Sequence, residues 1–367
     1  LSFVIARSAA TKQSRRFAAA PGLLRFARND DVEAVSQFMT RPRVFVTQPI
    51  AESALARLRA VADVAVNPDS SRVLDKAKLI EAVKNCDILI SLLHDTVDAD
   101  VLAANPNLKA VSSMNITQDR IDLAEATRRG IPVTNIPAIV TNATADIGFG
   151  LLLAVARNIA LGDKLFRAGI YPGSQSNHLA GAAVSGQALG LVGFGRIGQA
   201  MARRGRGFDM TIIYTDPRRL SAADEAELGA SYRSFHDLLR EADFVSLHPQ
   251  LSPETRHLMS DREFALMKPT AFVINTSRGP VIDEAALIRA LKDKKIAGAG
   301  LDVYECEPAV AAELLTMPNV VLTPHLGSAV LSLRESMAHV VVDNTIALIE
   351  GRPPVSCLNP QVLKKLF

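Results

Sequence analysis

One stretch, Ala188–Asp216, constrains this chain more than any other. Leu189, Leu191 and Val192 form a short apolar run of the kind a buried parallel strand requires. Gly193, Gly195 and Gly198 follow in G-x-G-x-x-G spacing, and Ile197–Arg204 reads as the opening turns of a helix. Met210–Tyr214 is a second apolar run with Asp216 at its end. Glycines alone mark ordinary turns. Strand, glycine turn, helix, strand and carboxylate in this order is the context a dinucleotide-binding turn demands. Gly193 permits the tight turn, Gly195 leaves a pyrophosphate unobstructed, and Gly198 lets helix and strand pack closely. The helix N-terminus offers its free N–H groups to the phosphates. Asp216 can accept hydrogen bonds from the adenosine ribose and would repel a 2′-phosphate, which favours NAD. Arg218 and Arg219 beside it keep NADP open.

A chain of 367 residues is long enough for two cores, and 48% hydrophobic with 22% charged residues is a globular balance. The most apolar run, Ile147–Val155, is too short to span a membrane. Cys86, Cys306 and Cys357 are scattered, with neither disulfide nor metal-ligand spacing, so no metal is expected and the cytoplasm fits. The net charge of +3 resides in residues 1–38, which hold six basic and three acidic residues. The balanced remainder has no bulk charge that calls for nucleic acid.

Residues 1–28 are rich in Ala, Ser and Arg and lack acids, and Met39 stands just before the first strand candidate. The segment resembles a transit peptide, or translated sequence upstream of the true start. The second reading is preferred, and residues 1–41 are expected to be a disordered leader.

Beyond it, apolar runs and helical patterns alternate. Arg43–Thr47, Val64–Val66, Ile88–Ser91, Lys109–Ser112 and Pro132–Thr134 read as strands, with helices at Glu52–Val61, Lys76–Val83, Ala99–Ala104 and Leu123–Arg129. This half has no glycine fingerprint, so it is expected to be a substrate domain, residues 42–141. Asn142–Ala160 reads as one long linking helix. After the fingerprint, strands are expected at Phe244–Leu247, Ala271–Ile274, Ala297–Leu301 and Val320–Leu322, with helices at His236–Arg240 and Glu284–Leu291. Such alternation predicts an α/β protein with doubly wound parallel sheets. Ligands in these sheets lie beyond the carboxyl ends of strands. His248, Thr276, Ser277, Arg278, Asp302 and His325 all follow strand runs, so they are predicted to face one crevice.

Arg278, Glu307 and His325 stand out among them. Hydride exchange between a 2-hydroxy acid and nicotinamide needs a guanidinium for the carboxylate, an imidazole to move a proton and an anion to orient that imidazole. Each residue taken alone has an ordinary structural reading; the three together on strand ends point to catalysis.

The motifs LGLVGFGRIG, FVSLHPQLSPETRHLM, MKPTAFVINTSRGPVIDEAAL, AGAGLDVYECEP and NVVLTPHLGSA resemble, in order, those of the D-isomer-specific 2-hydroxyacid dehydrogenases. The resemblance runs over nearly all of residues 42–357. It implies a Rossmann NAD domain, residues 142–327, inserted into a flavodoxin-like substrate domain that resumes over 328–367 with a helix near Ser328–Glu350. It assigns substrate binding to Arg278, the paired acid to Glu307 and the general acid/base to His325. Arg196, Ile197, Asp216, Thr255, Thr276 and Asp302 match cofactor contacts, His248 and Pro249 flank the cofactor, and Ser277 and Gly327 join the same set. Ile116 and Thr117 fall on the substrate loop, where Thr117 replaces a glycine usual in the family. Its Cβ is expected to crowd the pocket or shift the loop. His94 has two readings, a pocket residue or an exposed loop histidine.

The function implied is NAD-dependent reduction, with NADP possible, of a small 2-keto acid, glyoxylate or hydroxypyruvate, by a homodimer that needs neither nucleic acid nor membrane. A 2-ketogluconate reductase, a D-3-phosphoglycerate dehydrogenase-like activity and a non-catalytic NAD-sensing corepressor are the alternatives. A formate dehydrogenase would carry Gln where Glu307 stands. A chain shortened to begin at Met39 is expected to keep full activity and thermal stability, as steady-state rates and a melting curve would show.

Overall fold

The structure is a computed structural model that describes residues 41–365, apart from Ser70 and Gln175. The expectation for the leader therefore lies almost wholly outside the described residues.

Five short strands form the first sheet: β1 (Arg43–Val46), β2 (Asp63–Val66), β3 (Ile88–Ser91), β4 (Ala110–Ser113) and β5 (Val133–Thr134). Every pair is parallel and the order is β2-β1-β3-β4-β5. The alternation of strand side chains serves two faces at once. Ile88 and Ile90 pack with Leu55 and Leu58 of the helix Glu52–Val61. Leu89, between them, packs with Leu79 and Val83 of the helix Lys76–Lys84 on the opposite face. Layers on both faces explain why the strands read as continuous apolar runs.

The second sheet has seven parallel strands: β6 (Ala188–Val192), β7 (Thr211–Thr215), β8 (Ala230–Tyr232), β9 (Phe244–Leu247), β10 (Phe272–Asn275), β11 (Gly298–Leu301) and β12 (Val320–Leu322). Their order is β12-β11-β10-β9-β6-β7-β8. The chain winds one way from β6 to β8 and the other way from β9 to β12. The connections therefore part beyond the carboxyl ends of β6 and β9, which leaves a crevice there. Two doubly wound parallel sheets are the architecture that the sequence predicts.

The linking helix differs from expectation. Thr141–Ala156 ends at Arg157, Asn158 takes a left-handed φ of 53°, and a second helix, Ile159–Arg167, leaves at 65°. Asn is among the few residues that adopt this conformation at low cost. The Asn158 Nδ2 donates to the Leu179 carbonyl, and the Ala182 N–H donates to the Ala156 carbonyl, so a crossing loop secures the break. Leu151, Leu152 and Val155 of the first helix are buried with Leu191 and Ile274 of the second sheet. Among the described residues no single helix is long and apolar enough to cross a membrane, although this bent pair passes by length and composition.

The last helix, Leu331–Ile349, follows the second sheet yet buries Met337, Val341 and Val342 against the first. Asn344, fully buried, donates to the Asn135 carbonyl and accepts from the Val355 N–H at 2.8 Å. Buried Asn359 then holds the tail to β5. It accepts from the Val133 N–H at 2.8 Å and donates to the Ile131 carbonyl and the Thr127 hydroxyl. Asn359→Ala would strand these buried groups, at a cost of about 1–3 kcal/mol. A lowered denaturation midpoint with unchanged cooperativity is the expected result.

Candidate active site

Gly193 opens the crevice wall with φ +85°, and a Cβ there would meet the His248 carbonyl carbon at 2.8 Å. Gly195 precedes the helix Arg196–Arg206 without a side-chain cap, and a Cβ on it would meet nothing within 4 Å. The helix N-terminus thus faces open space, as phosphate binding requires. Two buried polar atoms beside it, Thr276 Oγ1 and His248 Nδ1, have no hydrogen-bond partner. Unsatisfied buried groups of this kind await a ligand. These features fit a dinucleotide.

A cavity of about 420 Å³ runs from this turn to the loops of the first sheet. Gly195, Arg196 and Ile197 line one end, with His248, Pro249, Thr276 and Ser277 along the wall. Ile116, Thr117, Arg278 and His325 meet at the other, and Asp302 and Gly327 lie between. Gly193 and Gly198 shape the turn from behind, since a Cβ on Gly198 would strike the Gly193 carbonyl oxygen at 2.3 Å. Asp216 and Thr255 stand outside the cavity wall. Asp216 accepts from the Phe194 N–H at 2.8 Å and the Arg218 N–H at 2.9 Å, so it braces the glycine turn. The Thr255 hydroxyl donates to the Gln250 carbonyl at 2.6 Å within its own loop.

Glu307 is the hub of the catalytic end. Its side chain is only 8% exposed. Oε1 accepts from the Tyr304 N–H at 3.0 Å. Oε2 lies 3.3 Å from Nδ1 of His325 and 3.5 Å from both Nη2 of Arg120 and Nδ1 of His94. Burial pushes this carboxyl upward, but the His325 hydrogen bond and charge, the Tyr304 N–H and His94 outweigh it, so it is held below the usual carboxylate range. An ionised Glu307 on Nδ1 leaves Nε2 as the other nitrogen of His325, free to face the cavity.

His325 itself has a left-handed φ of 53°, uncommon for any residue but glycine, though less so for histidine than for most. Asp302 accounts for it. Its buried carboxylate accepts from the Thr323 hydroxyl and the Leu326 N–H, both at 2.6 Å, and from the Gly327 N–H at 2.9 Å. The Asp302 carbonyl also accepts from the His325 N–H at 3.0 Å. One side chain therefore pins the loop on both sides of the histidine. Burial raises the Asp302 carboxyl against the pull of these hydrogen bonds.

Arg278 is held from three directions. Nε donates to Asp119 at 2.6 Å, Nη2 to the Thr117 hydroxyl at 2.7 Å and Nη1 to the Ser277 carbonyl at 2.8 Å. One N–H on each terminal nitrogen remains, enough for a bidentate carboxylate. Thr117 does not merely crowd this loop; its hydroxyl joins Asp119 on the guanidinium. Gly279 has another task. A Cβ there would overlap the Tyr304 carbonyl at 1.8 Å, so only glycine brings the Arg278 loop against the Glu307 loop.

His94 is no exposed loop histidine. Its ring meets that of His325 edge-on at 5.2 Å, and Nδ1 is buried without a hydrogen-bond partner. Burial, then the charge of His325, lowers its proton affinity. Arg120 and Asp119 escaped the sequence reading because their partners lie 187 and 159 residues away. Their place beside Thr117 on the expected substrate loop was the available signal.

Residues 149–327 match the family described as D-isomer specific 2-hydroxyacid dehydrogenase, NAD binding domain. The glyoxylate reductase of Pyrococcus furiosus is 45% identical over 88% of this chain and 97% of its own. The chain belongs to the D-isomer-specific 2-hydroxyacid dehydrogenases. Another relative, the glyoxylate reductase of Thermococcus litoralis, is also 45% identical, over 88% of this chain and 98% of its own. The crystal structure of an NADPH-dependent glyoxylate/hydroxypyruvate reductase from Sinorhizobium meliloti, in complex with NADP and malonate, superposes with a TM-score of 0.75 at 30% identity. It covers 87% of this chain and 97% of that one. This 2-hydroxyacid dehydrogenase is thus an NAD(P)-dependent oxidoreductase of the CH–OH group.

His248 supplies a pH test. Desolvation pushes its imidazole down to about 3, with Nε2 on the Ser246 hydroxyl at 2.9 Å. A depressed folded value means that the unfolded chain takes up the proton first. Its stabilisation is complete above the ordinary imidazole range and is lost progressively as pH falls from there to about 3. From about pH 7 to about pH 5, the wild-type denaturation midpoint is expected to fall further than that of His248→Asn.

Proposed function

We propose that this enzyme reduces a small 2-keto acid, glyoxylate or hydroxypyruvate, to the D-2-hydroxy acid. The observation that carries the reading is a guanidinium with two spare N–H groups and an imidazole backed by an ionised carboxylate, both facing one small cavity. The two spare N–H groups of Arg278 take the substrate carboxylate and orient the adjacent carbonyl. His325 donates the Nε2 proton to the carbonyl oxygen while Glu307 holds Nδ1 and fixes the orientation of the ring. In the reverse direction Nε2 takes the hydroxyl proton. The glycine turn, the helix N-terminus at Arg196 and the wall from His248 to Ser277 hold the dinucleotide, whose nicotinamide supplies the hydride when bound. Asp302 acts as a positioning residue through the His325 loop, and Asp119 through Arg278.

Thr117 supports a small acid, because its side chain takes space on Arg278 that a glycine would leave to substrate. NAD is favoured over NADP. Arg219, the second candidate for a 2′-phosphate, is engaged bidentately by Glu225 at 2.8 and 3.0 Å. His325→Ala is expected to lower kcat by at least about 10²-fold. A panel of 2-keto acids with NADH and NADPH, followed by loss of reduced-cofactor absorbance, tests the substrate reading. Turnover confined to large sugar acids would overturn it.

We further read the enzyme as a homodimer. Ile159, Phe166, Ile170 and Tyr171 are each more than half exposed and cluster on and after the second linking helix. Such an apolar patch marks an interface. Light scattering is expected to give twice the chain mass for the wild type and the single chain mass for Phe166→Glu.

A further inference from the structure

His94, Glu307 and His325 are far apart in sequence, so no ligand spacing announces them. In the fold each offers one ligand atom within 4.8 Å of the other two. Nδ1 of His94 and Nδ1 of His325 lie 3.5 and 3.3 Å from the same oxygen, Oε2 of Glu307. Around zinc, with bonds of about 2.0–2.2 Å, tetrahedrally placed ligand atoms stand about 3.3–3.5 Å apart. The two nitrogen–oxygen spacings are therefore close to those of a metal-binding set before any ion enters. A second observation points the same way. Nδ1 of His94 is buried 3.5 Å from this oxygen and, among the described residues, makes no hydrogen bond to it or to any other group. A cavity of about 260 Å³ on the Pro308–Leu322 side reaches all three side chains and leaves room for a fourth ligand. Two imidazoles and one carboxylate suit zinc-class ions far better than magnesium or calcium, which prefer oxygen.

We propose that these side chains form an inhibitory site for a divalent transition-metal ion of the zinc class. Arg120 opposes occupancy, because its guanidinium stands 3.5 Å from the shared oxygen, but its partly exposed side chain can give way. Binding replaces the Glu307 hydrogen bond on Nδ1 of His325 with a metal bond. The ring then keeps a proton only on Nε2 and can surrender it only as an imidazolate. Proton transfer to a carbonyl oxygen stops while the ion is bound. This inhibitory consequence rests on His325 being the general acid proposed above; the binding itself does not.

The test uses the full-length, untagged, metal-stripped protein and Co²⁺ as the probe. Visible absorption of low-coordinate Co²⁺ is expected to saturate at one equivalent and to vanish when Zn²⁺ is added. His94→Ala and His94→Gln should each weaken Co²⁺ binding by at least about 100-fold, more than loss of an outer partner costs. Arg120→Gln should tighten it several-fold. Zn²⁺ should abolish keto-acid reduction over the range in which it displaces Co²⁺, while Mg²⁺ does not. Absence of the band, or a band indifferent to both His94 variants, overturns the site. A His94-dependent band with Zn²⁺-saturated enzyme still turning over overturns the inhibitory role and the acid assignment of His325, while the site itself stands.

Discussion

A buried, ionised carboxylate is the constraint on which this active site turns. Taking Glu307 out of water costs several kcal/mol unless its charge is answered from close by. The answer comes from the loops of both sheets. Tyr304 and His325 belong to the second sheet's loops, while His94 and Arg120 extend from the first sheet's. The same contacts that make the charge tolerable bring the two halves of the cleft to one oxygen. Holding the charge and packing the two sheets' loops together are in this sense one interaction.

Around that hub the fold spends polar groups on position. The Asp302 carboxylate accepts from Thr323, Leu326 and Gly327, and these hydrogen bonds hold His325 in its left-handed backbone state. Asp119 and Thr117, from the loop after β4, orient the fork of Arg278. Gly279 permits these loops to approach at all. Rigid supports of this kind matter because reacting groups lose rate steeply when displaced by even about an ångström.

The elements most legible in the sequence were those with strong local signals. β3, β9 and β12 fell where apolar runs stood between turn residues, and the glycine turn lay between β6 and its helix. The three-residue β8 and the short helix Ala222–Leu228 before it passed unread. The helix carries its signals in caps rather than periodicity, with Ser221 at the start and Gly229 in a left-handed conformation at the end. The linking helix was read as continuous because apolar spacing persists across the break, and the bend depends on a loop some 20 residues on. Of the site, the strand-end residues were readable, since parallel sheets send them to one edge. On the first sheet's loops, Ile116, Thr117 and one reading of His94 were legible, but Asp119 and Arg120 were not, because nothing local in QDRID says what they will face.

The sequence by itself determined the two-sheet architecture and the dinucleotide turn, and it placed Arg278 and His325 at strand ends, with Glu307 shortly beyond one. These follow from periodicity, glycine sterics and the chemistry a strand end can present. Only the tertiary structure decided that Asp216 braces the turn, that Thr117 grips the guanidinium, and that His94 and Arg120 share the Glu307 carboxylate. Such contacts join residues far apart along the chain, and their geometry exists only once two independently wound sheets have closed on each other.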